Sequence, residues 1–199
     1  MLRNVLVYLV GFPGSGKLTV ARALAGPLNA KVVDNHWINN PIFGLVDNDR
    51  VSSFPVAIWD QIDKVRDAVL TTIATISRPE TNFILTHAGY DDQPEDRDIY
   101  DAIAATAARR SAVFVPVVLT CDEAELVKRI ASPERAVRLK SMNVASAQRD
   151  ARSRAPLRPD HPNTMALNNS HLSPQDAATA ILQHINTCSA RHAPEVGQR

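Results

Sequence analysis

Nine residues near the N-terminus hold the densest chemistry in the chain: Gly11-Phe12-Pro13-Gly14-Ser15-Gly16-Lys17-Leu18-Thr19. A strand that turns sharply into a helix at such a stretch brings backbone N–H groups together, and its glycines let the backbone approach a polyphosphate closely. Lys17 supplies a mobile positive charge for β- and γ-phosphates, and the start of the following helix adds its own partial positive charge. Pro13 and Ser15 suit the tight turn. The stretch reads as a phosphate-binding loop, with Gly11, Gly14, Ser15, Gly16, Lys17, Leu18 and Thr19 as nucleotide-binding candidates. One position departs from the usual pattern, in which Ser or Thr follows the lysine and places its hydroxyl on Mg2+. Here Leu18 stands in that place, and a leucine cannot ligate a metal. Thr19, one residue on, is the candidate hydroxyl.

A second candidate is Asp34, which closes the short apolar stretch Ala30-Lys31-Val32-Val33. In open parallel sheets ligands bind outside the C-terminal ends of strands, so an acid there is placed to orient or deprotonate a substrate hydroxyl, or to approach a metal. An aspartate closing a strand also serves simply as a turn former. His87, Asp91 and Asp92 follow another apolar stretch, Phe83-Ile84-Leu85, and are open to the same two readings: contact with substrate or with water around Mg2+, or a polar turn.

The third chemical feature is a charge shift. From Lys128 to Arg158 the cations Arg129, Arg135, Arg138, Lys140, Arg149, Arg152, Arg154 and Arg158 outnumber Glu134, Asp150 and Asp160. Arg135 and Arg138 lie at i and i+3 and can share a helix face, which makes them the preferred pair to meet a negatively charged substrate. Arg129 could join them or pair with Glu125 one turn earlier. The segment is open to reading as a closing lid, a solvated helix face or an RNA-binding patch. No aromatics interleave with its cations, as binding of a single strand would favour.

Elements must hold these groups. Val5–Val10 is continuously apolar, as a strand buried on both faces should be, and Val20, Leu24 and Leu28 then recur at helical spacing. Residues 35–55 are polar and aromatic, with Trp37 among them and no sustained period, and read as an acceptor-binding insertion or a surface loop. Ile58, Ile62, Val65, Val69 and Ile73 predict a long helix with Trp59 in its core. Strands are expected at 82–86 and 112–120, the latter with Pro116 interrupting its ladder. Between them a helix is expected over 98–110. Asp122 with Glu125 predicts a capped helix start. Residues 164–168 form a plausible fifth strand, and Ser173-Pro174-Gln175-Asp176 opens a final helix carrying Ala177, Ile181 and Ile185. Strands alternating with helices imply right-handed crossovers and a parallel sheet.

The whole chain suits this plan. Its 199 residues are enough for one three-layer domain, and a formal charge of +1 points to neither nucleic acid nor an anionic membrane as main partner. Two cysteines, Cys121 and Cys188, are far apart and fit free thiols in a reducing cytoplasm, and no apolar run is long enough for a membrane span or signal peptide. A cytoplasmic protein is expected, with residues 1–190 as a single domain and 191–199 as a frayed tail.

Gly-Lys-x-Thr resembles the loop of adenylate kinase and other nucleoside monophosphate kinases. Over nearly its whole length the chain is similar to the P-loop kinases of small molecules, which also include shikimate and gluconate kinases and the chloramphenicol phosphotransferase-like group. The resemblance implies a three-layer α/β P-loop NTPase fold, with a five-stranded parallel sheet in the order 2-3-1-4-5, helices on both faces and a small lid. It also implies ATP and Mg2+ as cofactors, with Thr19 and Asp34 near the metal. Residues 35–80 then form the acceptor side and 129–158 the basic lid. In this scheme Lys17, Asp34, Arg135 and Arg138 are the catalytic candidates, Arg129 joins the nucleotide site, and the loop from Asn168 to His171, Asn168 in particular, touches the adenine. The expected activity is transfer of the γ-phosphoryl group of ATP to a hydroxyl of a small molecule. An aspartate after the second strand suits an alcohol; a monophosphate acceptor would call for several arginines, and beyond Arg50 only Arg66 or Arg78 could reach. A nucleotide-binding regulator without turnover and an RNA-associated NTPase remain as readings from other classes.

Overall fold

A computed structural model of the chain describes residues 2–47, 54–132 and 143–192. At its centre is β1 (Val5–Val10), every residue of which is buried. Leu6, Tyr8 and Val10 face one apolar cluster while Val5, Val7 and Leu9 face the other, so the strand's period of two serves two cores at once. β1 pairs in parallel with β3 (Asn82–His87) on one side and β4 (Val113–Thr120) on the other. β2 (Ala30–Val33) lies outside β3 and β5 (Met165–Asn168) outside β4, giving the order 2-3-1-4-5.

Helices α1 (Lys17–Leu28) and α7 (Pro174–His192) cover one face, meeting through Val20, Leu24, Ala177, Ile181 and Ile185. Helices α3 (Ala57–Thr75) and α4 (Pro94–Arg109) cover the other, with Ile62, Leu70, Ile73, Tyr100 and Ile103 inward. Each fully buried aliphatic side chain of this kind contributes about 1.5–3 kcal/mol. A third, smaller cluster joins Phe12 of the phosphate loop to Leu126 and Ile130 of α5 (Glu123–Ile130) and to Ala147 of α6 (Val144–Ser153).

Several boundaries differ from expectation, each for a local reason. Residues 35–43, read as irregular, form helix α2 (Asn35–Phe43). It buries only Ile38, Asn39 and Phe43 and contains Pro41, too short and too interrupted a stripe to show a period. β2 accordingly ends at Val33 and Asp34 takes the N-cap position of α2. Helix α4 starts four residues before the expected Asp98, because Pro94 stands at its first turn with Glu95 and Asp96 beside the helix N-terminus. Asp122 occupies the N-cap position of α5 but makes no side-chain cap. Trp59, expected in the core, is 42% exposed and meets Phe43 edge-on.

Pro116 is accommodated by late pairing on one side only. Along β1 the ladder runs from Val113, but β5 joins only at Val117. The Phe114 carbonyl on that side takes the side-chain amide of Asn163 instead, so proline, two residues on, faces a place where no ladder donor is needed. At α7 the expected cap forms: Ser173 Oγ accepts the Asp176 N–H at 3.1 Å. Arg135 and Arg138, with the rest of 133–142, lie outside the described residues, as does the tail from 193.

Candidate active site

The phosphate loop joins the C-terminal end of β1 to α1, and its path is fixed by what surrounds it. At Gly11 (φ 154°) a Cβ would come within 2.2 Å of the Leu119 carbonyl oxygen of β4, so no side chain fits. Gly16, at φ 88°, turns the chain into α1 through a left-handed conformation and offers no side chain to cap the helix. The first amides of α1 are therefore uncapped by any side chain, as an anion site needs. Ser15, 1% exposed, donates its N–H to Phe12 O at 3.1 Å. Lys17 arches over the loop, donating to Gly11 O at 2.9 Å and Phe12 O at 2.8 Å.

Two side chains from distant elements fasten on this loop. Asn169, after β5 and 4% exposed, donates to Ser15 O at 2.8 Å. Arg129 of α5 donates to Asn169 Oδ1 at 3.1 Å and forms the expected pair with Glu125 at 3.3 Å, while the alternative of joining Arg135 and Arg138 lies outside the described residues. Its Nη1 lies 3.5 Å from Ser15 O, which brings the guanidinium to the edge of the cradle. Asn168, the residue singled out from sequence, is instead exposed and closes a turn, accepting from Ser170 N and donating to Asp122. Its neighbour makes the loop contact.

On the other side of the cradle, Asp34 holds an N-cap position without capping: its carboxylate turns to Thr86 at the end of β3, whose hydroxyl donates to Oδ1 at 2.7 Å. Thr86 Oγ1 in turn accepts the Asn35 N–H at 3.1 Å. A turn-forming aspartate would bond its own following amides; this one is held by a strand 52 residues away. Asp34 lines an open groove of about 380 Å³ with Leu18, Arg22, Val32, His36, Trp37 and Asn40. Trp37 is 67% exposed there.

The donor set can be tested against Mg2+. The ion commonly takes one or two carboxylates together with substrate phosphates and water. Asp34 supplies one carboxylate, while Leu18, at the usual hydroxyl position, lines the groove with hydrocarbon and Thr19 is exposed on the next position of α1. Among the described residues no group of three His, Cys, Asp or Glu converges. These residues fit an ion carried in on a nucleotide rather than one held in a protein cage.

Behind the loop lies a buried polar chain missed in the sequence. Tyr8 Oη and His87 Nδ1 are 2.8 Å apart, His87 Nε2 is 3.2 Å from Asp96, and Asp96 accepts the Tyr90 N–H at 2.7 Å. Burial lowers the His87 pKa, against the pull of Asp96, so the ring is held neutral. Burial also raises the Tyr8 hydroxyl well above its usual value. His87 is only 4% exposed, closed in between Tyr8 and Asp96. Asp91 and Asp92 are taken up by the C-terminal arm of the basic segment: Asp91 Oδ1 accepts Arg158 N, and Asp92 pairs with Arg154. Arg154 stacks over Tyr90, 3.8 Å from its centroid, and Tyr90 donates to Asp150 at 2.9 Å. Arg152 is bonded to Glu123. Arg152 and Arg154 are therefore neutralised by carboxylates rather than presented as a cationic patch.

Geometry and comparison agree on the class. The fold is that of the small-molecule P-loop kinases. A family model described as an AAA domain matches residues 6–156, and the chain belongs to that family. No curated protein matches. A provisionally assigned kinase from Chloroflexus aurantiacus j-10-fl superposes with a TM-score of 0.67 at 17% identity, covering 94% of this chain and 98% of that one. A gluconokinase from Sinorhizobium meliloti 1021 gives 0.64 at 14%, covering 96% and 97%. The Mycobacterium tuberculosis APS kinase CysC, in complex with AMPPNP and APS, gives 0.58 at 18%, covering 94% and 99%. No described helix is long and apolar enough to cross a membrane.

Proposed function

We propose that this protein transfers the γ-phosphoryl group of ATP, bound with Mg2+, to a hydroxyl of a small-molecule acceptor in the cytoplasm. The observation that carries the reading is Asp34: beside the phosphate cradle, a carboxylate gives up its local capping role and is fixed by Thr86 toward an open groove. The fold neighbours named as a gluconokinase and an APS kinase, the latter with AMPPNP bound, support both a nucleotide and a small acceptor.

In this reading the loop amides and Lys17 exchange their present contacts for β- and γ-phosphate oxygens, and Arg129 closes the cradle's edge. The acceptor oxygen attacks the γ-phosphorus, the bond from that phosphorus to the β–γ bridging oxygen breaks, and ADP leaves with the electron pair. Asp34 orients the hydroxyl and takes its proton. Charge on the transferring group is met by Lys17 and, from the basic segment, by Arg135 and Arg138. Mg2+, when bound, neutralises phosphate charge, and Asp34 with the Thr19 hydroxyl would hold it.

The test is transfer of label from [γ-32P]ATP to pooled small hydroxyl compounds, sugars, nucleosides and nucleotides, with Lys17→Ala alongside. Labelling of one pool by the parent alone supports the reading. ATP binding that depends on Lys17 with no pool labelled would transfer the case to a regulator without turnover.

A further inference from the structure

Helix α2 opens directly on Asp34. The Trp37 N–H donates to the Asp34 carbonyl at 2.8 Å and closes the first turn, so the indole follows the carboxylate three residues on, with Asn40 three further. The inward side of the helix is made by Ile38, Asn39 and Phe43. Asp34, Trp37 and Asn40 instead line the open groove, together with the hydrocarbon of Leu18 and Val32.

Trp37 stands out among these because it is 67% exposed, a large apolar side chain that contributes nothing to the core. The chain's other tryptophan is engaged: Trp59 meets Phe43 edge-on, and Phe43 stacks on Phe54 at 4.3 Å. Among the described residues Trp37 faces no aromatic ring and its indole N–H has no acceptor. The polar groups beside it are, by contrast, tethered. Thr86 holds Asp34 at 2.7 Å, and His36 Nδ1 lies 3.2 Å from Asn40 Oδ1. A free indole face among fixed polar groups matches a ligand with an apolar face and a polar rim.

A saturated ring bearing hydroxyls has that form. Its axial C–H bonds make a face that suits the electron-rich face of an indole. Its hydroxyls both donate and accept, as a groove holding a carboxylate, an amide and the Arg22 guanidinium requires. An open-chain polyol has the hydroxyls but no fixed face, and ordering its torsions costs entropy. The groove's volume of about 380 Å³ is near the lower end for ligand pockets, roughly 300–1,000 Å³, which suits a single ring.

We infer that Trp37 is the platform on which the acceptor rests, so that the acceptor is a cyclic polyol or sugar ring held by its C–H face, with a hydroxyl turned to Asp34, and not an open-chain polyol. The inference rests on the kinase reading and narrows its substrate class.

The experiment compares inositols with hexitols, which match in carbons and hydroxyls, and adds methyl hexopyranosides and nucleosides, for the parent, Trp37→Ala and Trp37→Phe. The parent should phosphorylate one cyclic polyol or sugar about 10-fold better than the hexitols in kcat/KM, the scale of one aromatic stacking contact. Trp37→Ala should lose that preference through the acceptor KM with the ATP KM unchanged, and Trp37→Phe should keep part of it. Trp37→Ala should melt within about 2 °C of the parent, as an exposed side chain outside the core predicts. Equal use of cyclic and open-chain acceptors, a preference for nucleosides, or a cyclic preference that survives Trp37→Ala overturns the inference. Binding is read apart from transfer in Trp59→Phe, which leaves Trp37 as the single tryptophan, by fluorescence titration with each compound in the presence of AMPPNP. A saturable change with a ring compound and none with the hexitols, without labelled product, keeps the platform while the kinase reading falls. Neither signal nor product removes both.

Discussion

The phosphate loop and the wall of side chains beside it, Asp34 with Thr86 and Tyr8 with His87, meet at the same edge of the sheet but are built in opposite ways. The loop is held largely by bonds across a few residues, Ser15 N to Phe12 O and Lys17 Nζ to Gly11 O and Phe12 O, around glycines at positive φ, where a side chain is strained. The wall is assembled from side chains far apart in sequence, Asp34 with Thr86 and Tyr8 with His87, on helices and strands whose backbones are ordinary. The loop therefore encodes a general capacity, gripping a polyphosphate, in a local pattern. The wall, which selects the acceptor in the proposed function, rests on contacts that exist only once the sheet has formed.

The contrast can be broken at graded strengths. Lys17→Ala should have the largest effect, lowering phosphoryl transfer by about 10²–10³-fold, as loss of one preorganised charge donor does, measured by initial rates at saturating acceptor. Gly11→Ala should damage the fold as well as the site, because the new methyl would meet the Leu119 carbonyl; a loss of about 1–3 kcal/mol in urea unfolding is expected. On the wall, Thr86→Val keeps the shape and removes the hydroxyl that orients Asp34, so kcat should fall about 10-fold with stability changed by only about 1 kcal/mol. Asn169→Ala should act on the nucleotide side alone, raising the ATP KM several-fold while the acceptor KM stays put.

The smallest effect is one of pH. His87 has a folded pKa below its unfolded value because of burial, with Tyr8, Asp96, Arg66 and Lys17 as the groups around it. Its unfolded form takes up a proton more readily, so the stability tied to a neutral His87 is fully present above the unfolded pKa of about 6.5 and is lost as pH falls toward the lowered folded value. His87→Gln should flatten the acid side of a melting-temperature profile; an unchanged profile would mean that other groups govern it.

How much of this could be read from the sequence follows the same division. The loop and the outer helices are written in short-range patterns, Val5–Val10 before Gly11 and Ile62, Leu70 and Ile73 along α3, whereas the strand order followed from the family resemblance alone. Helix α2 escaped because its buried stripe is only Ile38, Asn39 and Phe43 around a proline. Asp34 was legible by position, but its tether to Thr86 was not, since that pairing depends on β2 lying beside β3. In the loop after β5 a shift of one residue, from Asn168 to Asn169, separates a turn former from the side chain that grips Ser15.

The division of labour between loop and wall is tested most directly by measuring ATP affinity and single-turnover phosphoryl transfer side by side in Asp34→Asn. The account predicts an ATP Kd within about twofold of the parent and a transfer rate lower by about 10²–10⁴-fold, the usual cost of removing a catalytic base. A transfer rate close to the parent's would contradict it, because Asp34 would then have no part in the chemistry that its position beside the phosphate cradle implies.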